Sequence, residues 1–324
     1  MNNFKKIGMS ALAASLVSTS AFAGELTASG SASITMEGYS GTILQSDTAF
    51  SMGDSVVLSG STELDNGMTV SMSFELDGDT ENTSSPYDDN SITISSDTLG
   101  TVKFSAHGGS SASSALDTTA AGDIFGNFDD TSLTVAGAAT KAAAAGNNNI
   151  YYTLPSMVDG LSVSASLNTV GATGNQAVGY NATYTGVEGL SVSYGIADVE
   201  SGVASTSGDH TVMKASYAYG PVTASWSNSE YDIGAANTQA LGQEVTSYAI
   251  SYTVTDSISV TYGTETIESG LASEVDAEYD SLSASFTSGG MTISVTSQEA
   301  TNIDHTVDTD NDYDYWSLGL AFAF

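Results

Sequence analysis

Along most of this chain, apolar and polar residues take turns. In "LSVSASLN", Leu161, Val163, Ala165 and Leu167 share one parity, and Ser162, Ser164 and Ser166 share the other. In "MTVSMSFE", Met68, Val70, Met72 and Phe74 oppose Thr69, Ser71, Ser73 and Glu75. Successive side chains of a strand point to opposite faces, so each stretch predicts a β-strand with one oily and one hydroxyl-rich side. A tight turn of Gly, Asp, Asn or Pro opens each copy: "DNGMTVSMSFEL" at Asp65, "DTLGTVKFSAHG" at Asp97, "VDGLSVSASLN" at Val158 and "VEGLSVSYGIA" at Val187. "AYGPVTASWSN", "TDSISVTYGTE" and "SGGMTISVTSQ" are looser versions. An alternating strand also precedes each turn, so these are hairpins. Seven turns join fourteen strands, and "ELTASGSASITME" with "YDYWSLGLAFAF" brings the expectation to sixteen.

The connections between hairpins are longer and acidic, as in "DGDTENTSSPYDD" and "NIDHTVDTDND". Short turns at one end and long polar loops at the other predict an all-β fold, a 16-stranded antiparallel transmembrane β-barrel. A soluble sandwich would use far fewer strands, and a solenoid would lack hairpin turns. No apolar stretch approaches the twenty or so residues of a spanning helix. In lipid every backbone group must be paired, so a spanning sheet has to close, last strand on first. The chain ends accordingly. Trp316, Leu318, Leu320, Phe322 and Phe324 form one apolar face, and small residues alternate with them.

Composition sharpens this picture. Lys5 and Lys6, the apolar "IGMSALAASLVSTS" and the small residues Ala21 to Ala23 predict a cleaved signal peptide over residues 1–23 and a barrel over 24–324. Cysteine is absent, which excludes disulfides and thiolate metal sites. Beyond the signal, 38 acids face only three lysines, Lys103, Lys141 and Lys214, and there is no arginine. Such a chain does not bind nucleic acid through phosphates, and it attracts cations. With 40% hydrophobic residues and 16 tyrosines it is expected to fold rather than stay disordered.

With the strand order, "DTLGTVKFSAHGGSSASS" and the terminal "LGLAFAF" in view, the mature chain resembles a Gram-negative general porin of the alphaproteobacterial kind. The resemblance implies a homotrimer in the outer membrane, in contact with lipid and lipopolysaccharide. It also implies that small hydrophilic solutes pass by diffusion, and that the terminal apolar residues serve as the signal read by the outer-membrane assembly machinery. It further implies a third long loop folded inward to narrow the pore. Residues 108–148 occupy that place, the longest stretch without clean alternation. Within it, "GDIFGNFDD" places acids beside aromatics suited to anchoring a folded-in loop; an external lid is the alternative.

Relatives of this kind set arginines against that loop, and this chain has none. The expected constriction set is therefore Asp117, Asp123, Asp129, Asp130 and Lys141 on the loop, with Lys103 and Lys214 facing inward from the wall. A charge facing lipid at mid-depth would cost about 2–4 kcal/mol, which favours the inward assignment. Acids outnumber lysines, so preference for cations is expected.

No catalytic set is visible: His107, His210 and His305 lie in different segments without partner spacing. Expectation is against an enzyme. A solute-specific channel, or a surface adhesin or structural barrel, is the alternative function. No tightly bound cofactor is expected. In "DTDNDYD", Asp308, Asp310 and Asp312 alternate as hard oxygen ligands could, but the glycine and terminal glutamate of a calcium loop are missing. Two readings stay open for this tip: a solvated acidic surface, or loosely held Ca²⁺ or Mg²⁺ relieving self-repulsion.

Overall fold

The structure, a computed structural model, describes residues 26–41, 49–77, 89–128, 148–170, 175–200, 207–232, 243–268, 275–303, 305 and 312–324. The expected signal peptide, 1–23, lies outside these residues. The first eight strands are β1 (Thr27–Gly41), β2 (Ala49–Glu63), β3 (Thr69–Asp77), β4 (Asn90–Ser96), β5 (Gly100–His107), β6 (Asn149–Thr153), β7 (Leu161–Val170) and β8 (Asn175–Tyr184). The second eight are β9 (Leu190–Glu200), β10 (Gly208–Tyr219), β11 (Val222–Asp232), β12 (Gln243–Thr255), β13 (Ile258–Ile267), β14 (Ala277–Ser288), β15 (Met291–Thr301) and β16 (Tyr313–Ala323). Each pairs antiparallel with its neighbours in sequence, and β1 pairs with β16, from Ser31 opposite Ala323 to Gly41 opposite Tyr313. The sheet is a closed barrel, so no edge strand is left to be satisfied. Among the described residues no helix is long and apolar enough to cross a membrane; the strands make the crossing.

Burial is inverted relative to a water-soluble protein. Met52, Met72, Phe104, Tyr180, Tyr262, Leu282 and Val295 are exposed, while Ser105, Ser166, Ser227, Ser247 and Gln298 are buried. The two sets alternate along the same strands, so the barrel is apolar outside and hydroxyl-lined inside. The C-terminal expectation holds in this geometry: Trp316, Leu318, Phe322 and Phe324 are exposed, and Leu320 shares their face. Phe324 exchanges backbone hydrogen bonds with Gly30 at 2.7 and 3.0 Å, so the last residue finishes the closing seam.

All seven short turns fall where the repeats placed them. Gly100 and Gly189 adopt φ of 83° and 76° there, a region that costs a residue with a Cβ. One expectation needs correction. The link from β7 to β8 is only residues 171–174, Gly-Ala-Thr-Gly, neither long nor acidic. Antiparallel neighbours in sequence can be joined by a short connection as readily as by a long one.

Strand length is uneven. β3, β4 and β5 have 9, 7 and 8 residues, against 10 to 13 in β7 through β15. Ile124 and Phe128 of the long connection join inward residues Val245, Ile267, Tyr279, Ala300, Tyr313 and Tyr315 in one buried cluster. This apolar core lies inside the barrel, and it positions the site.

Candidate functional site: a loop clamped to the inner wall

The connection from β5 to β6 does not run away from the barrel mouth. Its described part, residues 108–128, crosses the inner wall strand by strand. The backbone N–H of Ala112 donates to Ser166 Oγ on β7 at 2.7 Å, and Asn181 Nδ2 on β8 donates to the carbonyl of Ala112 at 2.7 Å. Ala120 N–H donates to Ser227 Oγ on β11 at 2.7 Å, and Ala121 N–H to Ser247 Oγ on β12 at 2.9 Å. Phe125 N–H donates to Glu265 Oε2 on β13 at 3.1 Å, and Asn127 Nδ2 to Gln298 Oε1 on β15 at 2.8 Å. Tyr39 of β1 closes the run, its hydroxyl donating to Asn127 O at 2.8 Å. The alternating hydroxyl face thus acts as a row of acceptors for an irregular backbone that has no ladder of its own.

Close approach requires small wall residues. An added Cβ at Gly179 would stand 2.9 Å from Ser166 Oγ and 3.3 Å from Ala112 N. At Gly195 it would stand 3.2 Å from Leu116 Cδ1, and at Gly263 2.5 Å from Ala121 Cβ. All three glycines lie on the inner face, and Tyr180, Tyr194 and Tyr262 beside them point outward. The far end of the segment is anchored by Phe128, 1% exposed, whose ring lies 5.8 Å from Tyr279, 6.3 Å from Tyr315 and 6.5 Å from Tyr39.

The expected site residues divide. Lys214 faces inward as expected, but its ammonium donates to the carbonyl of Thr118 and sits in the field of Asp123 and Asp117. It is tied to the loop rather than set opposite to it. Asp117 is held by the wall: its Oδ1 lies 3.1 Å from His210 Nε2 and accepts from Ser229 Oγ at 2.9 Å. Asp123 turns back on the loop. It adopts φ of 57°, and its Oδ1 accepts the N–H of Thr119 at 2.8 Å. Burial pushes the Asp123 carboxyl above its ordinary value, with Asp117 adding to the rise, while the Thr119 bonds and Lys214 pull it down. Lys103 is the inward lysine outside this cluster. It lines a recess of about 140 Å³ on β3 to β5 with Glu75, Asp89, Asn90 and His107.

Asp129, Asp130 and Lys141 lie outside the described residues, as do Asp308 and Asp310; Asp312 alone of the acidic triplet is described. Among the described residues no group of three or more His, Asp or Glu stands close enough to hold a metal ion.

Two functional residues are absent from the sequence-based set. Glu265 is 1% exposed and accepts the Thr119 hydroxyl as well as Phe125 N–H. It was the one carboxylate on an inner face otherwise built from "SVTYGT" hydroxyls, and a charge without a basic partner was the available signal. The second is His210, read from the sequence as having no partner. It has three: Ser113 and Asp117 on the loop and Ser229 on β11. Ser113, His210 and Asp117 even imitate a hydrolytic triad, but Ser113 and His210 are both 0% exposed, so no substrate carbonyl can approach.

A family model described as Gram-negative porin matches residues 9–324. No curated protein sequence matches. Among solved structures, the chain is similar to an anion-selective porin from Comamonas acidovorans, with a TM-score of 0.69 at 15% identity, covering 93% of this chain and 99% of that one. It is also similar to a porin refined at 1.8 Å resolution, TM-score 0.65, 18% identity, covering 93% and 100%. A triple mutant of Rhodopseudomonas blastica porin aligns with a TM-score of 0.64 at 15% identity, over 93% and 100%. Identities this low speak for the fold, and the family match speaks for membership. The chain belongs to the Gram-negative porin family, non-enzymatic β-barrels of the outer membrane.

Proposed function

We propose that the barrel is a general diffusion channel whose constriction is formed by the clamped loop, and that it prefers cations. Sixteen strands enclose a water-filled lumen too wide for wall side chains to fill. The segment from Gly108 to Phe128 occupies part of that lumen, which leaves the passage between it and the wall of β2 to β5. The observation that carries the charge preference is the place of Lys214, tied to Thr118 O and set in the field of Asp123 and Asp117. The charge of one of the two described lumen lysines is thereby offset by loop carboxylates. Lys103 shares its recess with Glu75 and Asp89, so acids outnumber the lysine there and the field of the passage is negative. The similar porin from Comamonas acidovorans is titled anion-selective, so the sign is a property to measure in this chain rather than to transfer.

The test is reversal potential in a salt gradient across a planar bilayer. A cation-selective sign is expected, and an anion-selective one refutes the preference. Liposome swelling tests the channel itself: neutral sugars should pass, whereas an adhesin or structural barrel would pass none.

The same reading includes a homotrimer, with β1 to β5 as the contact wall. The outer positions of these strands carry Ile34, Met36, Met52, Met72, Ile92 and Phe104 but no tyrosine or tryptophan. From β8 to β13 the outer face shows Tyr180, Tyr194, Tyr217, Tyr248, Tyr252 and Tyr262. Aromatic side chains with a polar tip suit the lipid interface, and an aliphatic face without them suits another protein surface. Cross-linking in detergent, with a three-chain product expected, checks the assembly.

A further inference from the structure

His210 is completely buried between loop and wall. Its Nδ1 lies 3.1 Å from Ser113 Oγ, and its Nε2 lies 3.1 Å from both Asp117 Oδ1 and Ser229 Oγ. Asp117 can only accept while ionised, so the network places the ring hydrogen on Nε2 and makes Nδ1 the acceptor of the Ser113 hydroxyl. Ser113 and Asp117 bracket the 3₁₀ turn Ser114–Leu116. One rigid ring therefore grips both ends of one turn. By contrast, the hydrogen bonds of Ser166 and Asn181 reach only Ala112 of the loop, and that of Lys214 reaches Thr118.

We propose that His210 is the positioning residue of the constriction. It holds the turn 113–117 flat against β9 to β11, and through Asp117 it fixes where a loop carboxylate meets the passage. The inference rests on the proposed constriction role of the loop. Gly195 supports the same geometry, since an added Cβ there would stand 3.2 Å from Leu116 Cδ1 and 3.3 Å from Ser113 Cα, tighter than ordinary contact. The Asp117 side chain keeps 20% of its surface exposed, so it is both held by His210 and open to the lumen. A hydrogen bond to a charged acceptor is the stronger of the two loop contacts. Loss of the Asp117 side of the grip should therefore matter more than loss of the Ser113 side.

The experiment is single-channel recording of the purified full-length protein in planar bilayers, with heat-modifiable gel mobility as the check on barrel folding. His210→Ala is expected to raise the frequency of spontaneous closures at least about tenfold. His210→Gln places its amide near the Nε2 position and should restore most of the quiet behaviour. His210→Asn, whose amide sits near Nδ1, should restore little. Asp117→Ala approaches the same contact from the loop, and the double variant with His210→Ala should be less noisy than the two single effects added, because both remove one shared hydrogen bond. A folded His210→Ala channel with wild-type closures overturns the proposal. So does equal behaviour of the Gln and Asn variants, or additive noise in the double variant. If His210→Ala does not fold, Asp117→Ala alone decides: wild-type closures in that variant overturn the proposal. A wild-type protein that conducts nothing would instead sink the channel reading, a separately visible failure.

Discussion

Two arcs of this barrel are built from the same alternating strands and do opposite work. On β7 to β15 the inward side chains bond to a loop: Ser166, Asn181, His210, Ser227, Ser247, Glu265 and Gln298 each take a named loop atom. On β2 to β5 the inward residues are again mostly serine and threonine, but Lys103 and Glu75 face a recess rather than the described loop residues. Outside, the clamped arc displays tyrosines, and the bare arc displays aliphatic residues and phenylalanines without a polar tip. The difference teaches that hydroxyl-rich alternation specifies a wettable wall and no more. What makes an arc a platform is a few interruptions of the hydroxyl pattern: three inward glycines, a buried carboxylate and a buried imidazole.

The comparison breaks most visibly at the aromatic anchor. Phe128→Ala removes a fully buried ring from the intrabarrel core, a loss of about 3–5 kcal/mol, and should free the end of the loop while the barrel persists. Rapid proteolysis within 108–148 of otherwise heat-modifiable protein is the expected readout. Next comes the outer surface. Met72→Arg on the bare arc and Leu282→Arg on the other would each cost about 2–4 kcal/mol if they faced lipid. If β1 to β5 meet a neighbour, Met72→Arg should dissociate the trimer by native gel, whereas Leu282→Arg should lower insertion yield and leave assembled trimers intact.

Glu265→Ala tests the platform from the wall side. It orphans the Thr119 hydroxyl and the Phe125 N–H, worth about 1–3 kcal/mol, and should increase current noise less than Phe128→Ala increases proteolysis. Lys103→Ala sharpens the charge contrast between arcs. Reversal potentials in 0.1 M salt should shift toward cations more for Lys103→Ala than for Lys214→Ala, because Lys214 is already paired with the loop. At 1 M the gap should shrink as the Debye length falls from about 10 to about 3 Å.

The smallest effect concerns Asp123. Its carboxyl is raised in the docked loop, chiefly by burial, so the neutral form docks better than the anion. That stabilising contribution is complete below the ordinary aspartate range and is lost as pH rises through the raised value. Asp123→Asn keeps an acceptor for Thr119 N–H and tolerates φ of 57°, and should make closures slightly rarer at neutral pH and nearly unchanged in acid.

Much of the site was legible before any coordinates. Parity placed Lys103 and Lys214 inward, and the aromatics of "GDIFGNFDD" were read as anchors; Phe128 is buried, Phe125 is partly buried, and the aliphatic Ile124 is buried beside them. His210 was not legible, because Ser113, Asp117 and Ser229 lie 97, 93 and 19 residues away and only closure brings them together. The bond from Lys214 to Thr118 O was not legible for the same reason: parity says which face a side chain takes, not which carbonyl it meets there.

By itself, then, the order of residues determined the strands, the oily exterior and the closure of the last strand on the first. Each of those follows from a two-residue period and nearest-neighbour turns, which are local. Tertiary structure alone decided which arc carries the described part of the loop and which wall lysine meets it. Those outcomes depend on contacts across tens of residues, where a single glycine or a single buried ring settles how closely two backbones can lie.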